Sequence, residues 1–497
     1  MELILHGWKF FMSEPIIWLY LTFGVFFGLV FGCIPGLTAT LGISLLIPFT
    51  FVLSPAQGMA TLIGVYVGGI SGGLITAILI NIPGTPSSLV TCWDGYPMGQ
   101  KGLKGAALSL GIFSSAVGGT ISAFALIFIA PPLARLALKF GSWELLSLML
   151  LGMSVVLVMT SDNPIKGGIA ALLGITLGMV GIDPISGVSR LTFGIWQLQA
   201  GMDVVSLCMA FFAVREVLVQ VKGFGKNIGV RLGEITDKIP IIPSRETLKN
   251  TGPAFFFGNL YGTLIGILPA VGQTTAAMLA YNSSRQVSKH PKKFGTAIPE
   301  GVVASETANN AVNGGALITL LTLGIPGDIT TSILIGGLMI HGIRPGPLLF
   351  RNEPELMGTI MVIYFLSNII MFILMLGFLK GFVQISKVPL SILFPIILVT
   401  CIVGVYSFNN RFFDLWILIA FGIIGYFLSE WGVSMPPLIL GFILGNMIES
   451  SFRTAMFSSA GNLLDVINHP IAAIIILITI LMTLMPYMSK IKKRFSH

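Results

Sequence analysis

Charge is scarce in this chain. Asp, Glu, Lys and Arg together make up 10% of its 497 residues, against roughly a quarter in a soluble globular protein. So little charge cannot cover a water-facing surface of this size, which excludes an ordinary soluble fold. Cysteine and histidine are sparse as well. Cys33, Cys92, Cys208 and Cys401 are far apart, and the five histidines are scattered. No pair has the spacing of a metal motif, so neither a transition-metal centre nor a cofactor is expected. No GxxxxGK[ST] loop occurs, which excludes ATP hydrolysis by that route. The opening "MELILHGWKFFMSEP" lacks a basic region followed by a compact apolar core, so no cleavable signal peptide is expected.

What is present is apolar. Hydrophobic residues are 54% of the chain and the mean hydropathy is +0.92. Runs of about 20 apolar residues, enough to cross a bilayer, recur along nearly the whole length. They are continuous rather than alternating, which argues against a β-barrel. The expected class is an all-α polytopic membrane protein, with the lipid bilayer as its surroundings. The net charge of +8 is no sign of a nucleic-acid partner, because the basic residues sit in connecting loops. Arg215, Lys222, Lys226, Arg231, Lys238, Arg245 and Lys249 fall within 215–249, and Lys490, Lys492, Lys493 and Arg494 end the chain. The positive-inside rule puts both segments, and so the C-terminus, in the cytoplasm.

The apolar run Met59–Leu79 leads into Ile80–Ser88, "INIPGTPSS". Pro83, Gly84 and Pro86 forbid a continuous helix there. The chain then repeats itself. Gly72–Gly84, "GGLITAILINIPG", aligns without gaps with Gly315–Gly327, "GALITLLTLGIPG", at an offset of 243. Upstream, "GLVFGCIPGLTATLG" from Gly28 matches "GTLIGILPAVGQTTA" from Gly262 at an offset of 234. Two matches in the same order predict two homologous halves. The first, 1–230, ends in the basic loop; the second, 245–497, ends in the basic tail. Each carries broken elements, at Pro35 and Pro83 and at Pro269 and Pro326. Many carriers are built from inverted repeats with breaks in matching positions, and the same arrangement is expected here, with 10–14 crossings or hairpin arms. A second basic loop, Arg285 to Lys293, follows Gly252–Tyr281. That segment is either a re-entrant hairpin turning at "LPAVGQ" or a tilted full span.

A helix break presents free backbone N–H groups at the start of a half-helix, and these with the helix dipole favour an anion. The residues expected to hold one are Thr38, Asn81, Gly84, Thr85, Ser87 and Ser88 in the first half. Thr274, Gly327, Thr330 and Thr331 are their counterparts in the second. Further along, Glu306, Asn309, Asn310 and Asn313 recur at helical spacing and form one polar stripe backed by small residues. A carboxylate within the membrane is costly and commonly serves ions or protons. Carboxylate and amide oxygens suit Na⁺, whereas a carboxylate alone could carry H⁺; Asp328 could complete the site from across the break. Asp94 reads as part of a structural Asp-Gly turn. Arg190, Arg344, Arg411 and Arg453 read as interface anchors.

"GCIPGLTATLG", "ILINIPGTPSSLVTCWDGYPM", "FGTAIPEGVVASETANNAVNGG" and "LGIPGDITTSILIGGLMIHGIRPGP" together resemble the signatures of the large membrane subunit of the tripartite tricarboxylate transporters, the TctA-type proteins. The resemblance covers most of 20–350. It implies ion-gradient-driven uptake of organic di- or tricarboxylates across a bacterial inner membrane. The implied partners are a small membrane subunit and a periplasmic substrate-binding protein. The chain departs from that pattern at Thr38 and Ala270, where Gly is usual, at Leu74 and Asp328, where small polar residues are usual, and at Ser284, near an expected Glu. An added Asp beside an anion site either binds the coupling cation or lowers the charge of the preferred substrate. The competing readings are an integral membrane enzyme acting on lipid and an anion channel. No interfacial cluster of His, Asp or Cys supports the enzyme, and matched breaks with a buried Glu suit a gated carrier better than a channel.

Overall fold

The computed structural model describes residues 2–159, 164–183, 185–222, 237, 239–268, 271–385 and 388–495. Pro269 and Ala270 at the expected turn, and Lys226, Arg231 and Lys238 of the first basic loop, lie outside the described residues. Among the described residues, eight helices are long and apolar enough to cross a membrane and four shorter ones are apolar. The sheet described is one small antiparallel pair, Gly181–Ile182 with Ser189–Arg190. The chain is an all-α polytopic membrane protein.

It divides into two compact units. One comprises Met1–Ala134 and Gln220–Thr400, the other Arg135–Val219 and Cys401–His497. Each unit draws on both the 1–230 and the 245–497 segments.

The first unit holds every break foreseen from the prolines. Helix α1 (Ile16–Cys33) stops before Pro35 and Gly36, and the Thr38 side chain accepts the Leu41 N–H at 3.2 Å to start α2 (Ala39–Thr50). Helix α3 (Pro55–Gly72) begins on a Ser54–Gln57 capping box with Pro at its first position. It runs through Gly73 into α4 (Leu74–Ile80). Asn81, left-handed at φ 58°, ends α4, and the chain resumes as α5 (Leu89–Gln100). The second half follows the same order. Helices α6 (Gly252–Ile267) and α7 (Gly272–Val287) flank one break. Helix α8 (Pro299–Leu323) ends at Gly324, left-handed at φ 73°, and α9 (Ile329–Ile340) begins on an Asp328–Thr331 capping box. Asn81 and Gly324 are 243 residues apart and do the same job: each places a positive φ where the helix must stop.

The close packing also recurs. Helix α1 lies along α3, and α6 along α8. A Cβ on Gly28 would press on the Val65 carbonyl, and one on Gly262 on the Ala308 carbonyl. Gly32 meets Gly69 and Gly72; Gly266 meets Val312 and Gly315. Every one of these pairs is related by 234 on one helix and 243 on the other. Small residues let membrane helices approach this closely, where dispersion and not hydrophobic exclusion holds them.

Helices α6 and α7 settle the choice left open for Gly252–Tyr281. Each has 16 residues, about 24 Å, short of the ~30 Å hydrocarbon core. They pack against one another and both against α8. Lys249, before α6, and Lys293, after α7, line the same cavity. The segment is a hairpin, and its two ends lie together.

Asp94 corrects the expectation of a turn. It is fully buried within α5. Its Oδ1 accepts the N–H groups of Gly295, Ala297 and Ile298 at 2.9–3.0 Å, and its Oδ2 accepts the Tyr281 hydroxyl at 2.7 Å. The carboxylate shapes the loop that leads into α8. Gly95 is small because Ile78 packs against it, not because the chain turns.

In the second unit Arg190, Arg411 and Arg453 are each paired. Arg190 meets Glu449 at 2.6 Å, and Arg453 meets Asp183 at 2.8 Å and Glu449 at 2.9 Å. Arg411 grips Asp414 through two nitrogens at 3.1 and 2.8 Å.

Candidate functional site

Helix α7 touches both later breaks, and α2 touches the start of α9. In the first turn of α7, the Thr274 hydroxyl donates to the Pro86 carbonyl at 3.2 Å, inside the first break. Its neighbour Gln273 donates its side-chain amide to the Asp328 carboxylate, inside the second break. Thr40 in α2 pairs with Thr330 in α9 at 3.0 Å, hydroxyl to hydroxyl. Thr40 and Thr274 are themselves 234 residues apart. The two breaks are thus brought together through one turn of α7.

Within the first break Thr85, Ser87 and Ser88 form a buried hydroxyl cluster. The Thr85 oxygen lies 2.8 Å from that of Ser87 and 3.1 Å from that of Ser88. Asn81 is exposed at the edge of the break. Gly84 is packed on the Gly32 carbonyl and the Gly73 Cα, and Gly327 on the Gly266 carbonyl and the Ala316 Cα, the same contacts at the same two offsets. Both glycines are where a backbone must pass close to another helix. In the second break Asp328 is heavily committed. Its Oδ1 accepts the Thr331 N–H, and its Oδ2 accepts the Tyr66 hydroxyl at 2.5 Å as well as the Gln273 amide. The Thr331 hydroxyl also stays within this cap. Thr38 serves its own helix start, and Thr330 faces Thr40.

The polar stripe divides by hydrogen bonding. Glu306, Asn309, Asn310 and Asn313 are all fully buried in α8. Glu306 Oε1 accepts the Thr91 hydroxyl at 2.5 Å and Oε2 the Ser115 hydroxyl at 2.9 Å. Asn310 Oδ1 accepts the Ser71 hydroxyl at 2.7 Å, and its Nδ2 donates to the Glu306 carbonyl at 3.2 Å. The side-chain amide of Asn313, by contrast, has no hydrogen-bond partner, and that of Asn309 meets no partner at good geometry although it lies beside the Glu306 carboxylate. A buried amide left unpaired costs roughly 1–3 kcal/mol, so Asn313, one helical turn beyond Asn309, marks a place able to take a ligand. Glu306 and Asp328 share no hydrogen-bond partner, and no group of three His, Cys, Asp or Glu arranged for a metal occurs among the described residues.

Sequence reasoning missed Thr40, Tyr66, Gln273, Thr91 and Ser115. Thr40 could have been found by carrying Thr274 back through the 234-residue offset, and Gln273 adjoins it. Tyr66 is a lone phenol in an apolar helix, which is a weak signal. Nothing local distinguishes Thr91 or Ser115.

Opposed helix breaks around buried polar side chains, on a scaffold of many apolar helices, are the architecture of a membrane transporter. Comparison with known proteins makes the class particular. The profile of the tripartite tricarboxylate transporter TctA family matches residues 18–440, and the chain belongs to that family. It is therefore a transporter component and not an enzyme. It is 36% identical over 460 residues to an uncharacterized 52.8 kDa protein in the TAR-I ttuC′ 3′ region of Agrobacterium vitis, covering 92% of this chain and 90% of that one. It is also 36% identical over 228 residues to an uncharacterized protein in the TAR-II ttuC′ 3′ region of the same organism, covering 45% of this chain and 94% of that one. No solved structure matches.

Proposed function

We propose that the chain is the large membrane subunit of a tripartite, binding-protein-dependent secondary transporter in a bacterial inner membrane. It takes up organic di- or tricarboxylates using an ion gradient, alongside a small membrane subunit and a periplasmic substrate-binding protein. The observation that carries the reading is the meeting of both breaks at Gln273 and Thr274. Substrate carboxylates bind there, against the hydroxyls of Thr85, Ser87, Ser88, Thr274 and Thr330. The recurrence of helix stops and glycine contacts at the two offsets supports duplicated halves.

The coupling ion binds on the α8 stripe. An anion entering a low-dielectric cavity is opposed by desolvation, and a bound cation offsets that cost. Glu306 supplies the charge, and the amides of Asn309 and Asn313 supply oxygens that a proton would not need, which favours Na⁺ over H⁺. Asn310 is held by Ser71 and serves to position the stripe. Glu306→Gln keeps the volume, and the rotatable Thr91 and Ser115 hydroxyls can still pair with an amide. The variant should fold and insert yet fail to accumulate labelled carboxylate in proteoliposomes given the binding protein and an imposed sodium or proton gradient. Wild-type accumulation by Glu306→Gln under either gradient would remove Glu306 from the coupling site.

A further inference from the structure

A cavity of about 720 Å³ opens at the far end of α7 from the helix breaks. It lies between the start of α6, the end of α7 and the start of α8. Its volume falls in the ordinary range for small-molecule sites. Four lysines line it, Lys101, Lys249, Lys289 and Lys293, against two glutamates, Glu246 and Glu300, so its charge is net positive. Two helices begin at its wall. Neither α6 nor α8 has a side-chain cap, and Pro253, Pro299 and Glu300 of their first turns line the cavity, so the positive end of each helix dipole lies on the cavity side. A further observation points to a ligand. Ser284, on the last turns of α7, lines the cavity with a side chain 2% exposed, and its buried hydroxyl has no hydrogen-bond partner.

We infer that this cavity is a second anion site, for a multiply charged oxyanion, held by the Lys249, Lys289 and Lys293 ammonium groups, the two helix starts and the Ser284 hydroxyl. Ser284 is ten residues beyond Thr274 on α7, about 15 Å along the helix, so the site is separate from the helix breaks and does not depend on what binds there. The chemistry fits a soluble carboxylate or phosphate and equally the phosphate of an anionic lipid, since Lys249 and Lys293 are exposed beside apolar helices.

The test uses the full chain in phosphatidylcholine nanodiscs, titrated calorimetrically with citrate and with inorganic phosphate. Lys249→Gln/Lys293→Gln should weaken the cavity's binding about tenfold or more, as expected when hydrogen bonds to charged groups are lost. Ser284→Ala should weaken it severalfold. Both variants should keep the wild-type unfolding temperature in the absence of anion. A second arm replaces part of the lipid with phosphatidylglycerol. If that lipid abolishes the lysine-dependent signal and raises the unfolding temperature of the wild type but not of the double variant, the occupant is a lipid headgroup. If the signal persists unchanged, the occupant is a soluble anion. The inference is overturned if the double variant titrates as wild type and phosphatidylglycerol stabilises both proteins equally.

Discussion

Thr85 and Asp328 occupy the same place in the two breaks, 243 residues apart, and differ in how free they are. Asp328 is bound into a capping box and further fixed by Tyr66 and Gln273. Thr85 makes no cap with its side chain, and its hydroxyl meets only other hydroxyls. Hydroxyls can reorient toward an incoming carboxylate, whereas the Asp328 oxygens are already in use. Thr85→Val removes that donor at constant volume. Loss of a hydrogen bond to a charged group costs about 1.5–3 kcal/mol, so the substrate concentration for half-maximal uptake should rise by about one to two orders of magnitude. Thr85→Ser should restore most of it. An unchanged uptake curve for Thr85→Val would take Thr85 out of the site. The residues that could be read in advance were those whose reason is local: a proline that stops a helix, a stripe at helical spacing. Thr91 and Ser115 could not be, because what selects them is Glu306, 215 and 191 residues away.

Among the elements, the helix pairs α1/α3 and α6/α8 make the sharpest demand on sequence. A Cβ at Gly32 would overlap the Gly69 carbonyl, and one at Gly266 the Val312 carbonyl. Gly32→Ala and Gly266→Ala should each cost about 1–3 kcal/mol or more, the usual penalty for overpacking. The two losses should be alike if the interfaces are duplicates. Thermal unfolding of the two variants checks this, and a large loss at one site with none at the other would separate the halves. The short hairpin of the second unit makes a different prediction. The Ser186 hydroxyl, the Arg453 guanidinium and the Ile185 N–H hold the Asp183 carboxyl well below its ordinary value of 3.8. A carboxylate favoured in the folded state contributes stability above the unfolded-state pKa and loses it as pH falls through the folded one. The unfolding temperature should therefore decline below about pH 4, and Asp183→Asn should make that decline shallower. Asp94 shows where the reading of elements failed. An Asp-Gly pair ordinarily signals a turn, but here the Asp is satisfied by a loop some 200 residues on and the Gly by a neighbouring side chain.

For the molecule as a whole, the hairpin of α6 and α7 makes a prediction about topology. With a single crossing at Gly252–Tyr281, one of the two basic loops would face the outside, against the charge rule. With the chain turning back, Lys249 and Lys293 line one cavity, and the charge rule then expects both on one side of the membrane. The four native cysteines are buried, so an introduced thiol reports with little background. Lys249→Cys and Lys293→Cys should both escape an impermeant maleimide added to intact cells, and both should react once the membrane is permeabilised. Labelling of both from outside would leave the hairpin standing and reverse its orientation, so that the charge rule had misled. Labelling of one alone would place the two loops on opposite sides, and the hairpin, with the cavity at its base, would have to be given up.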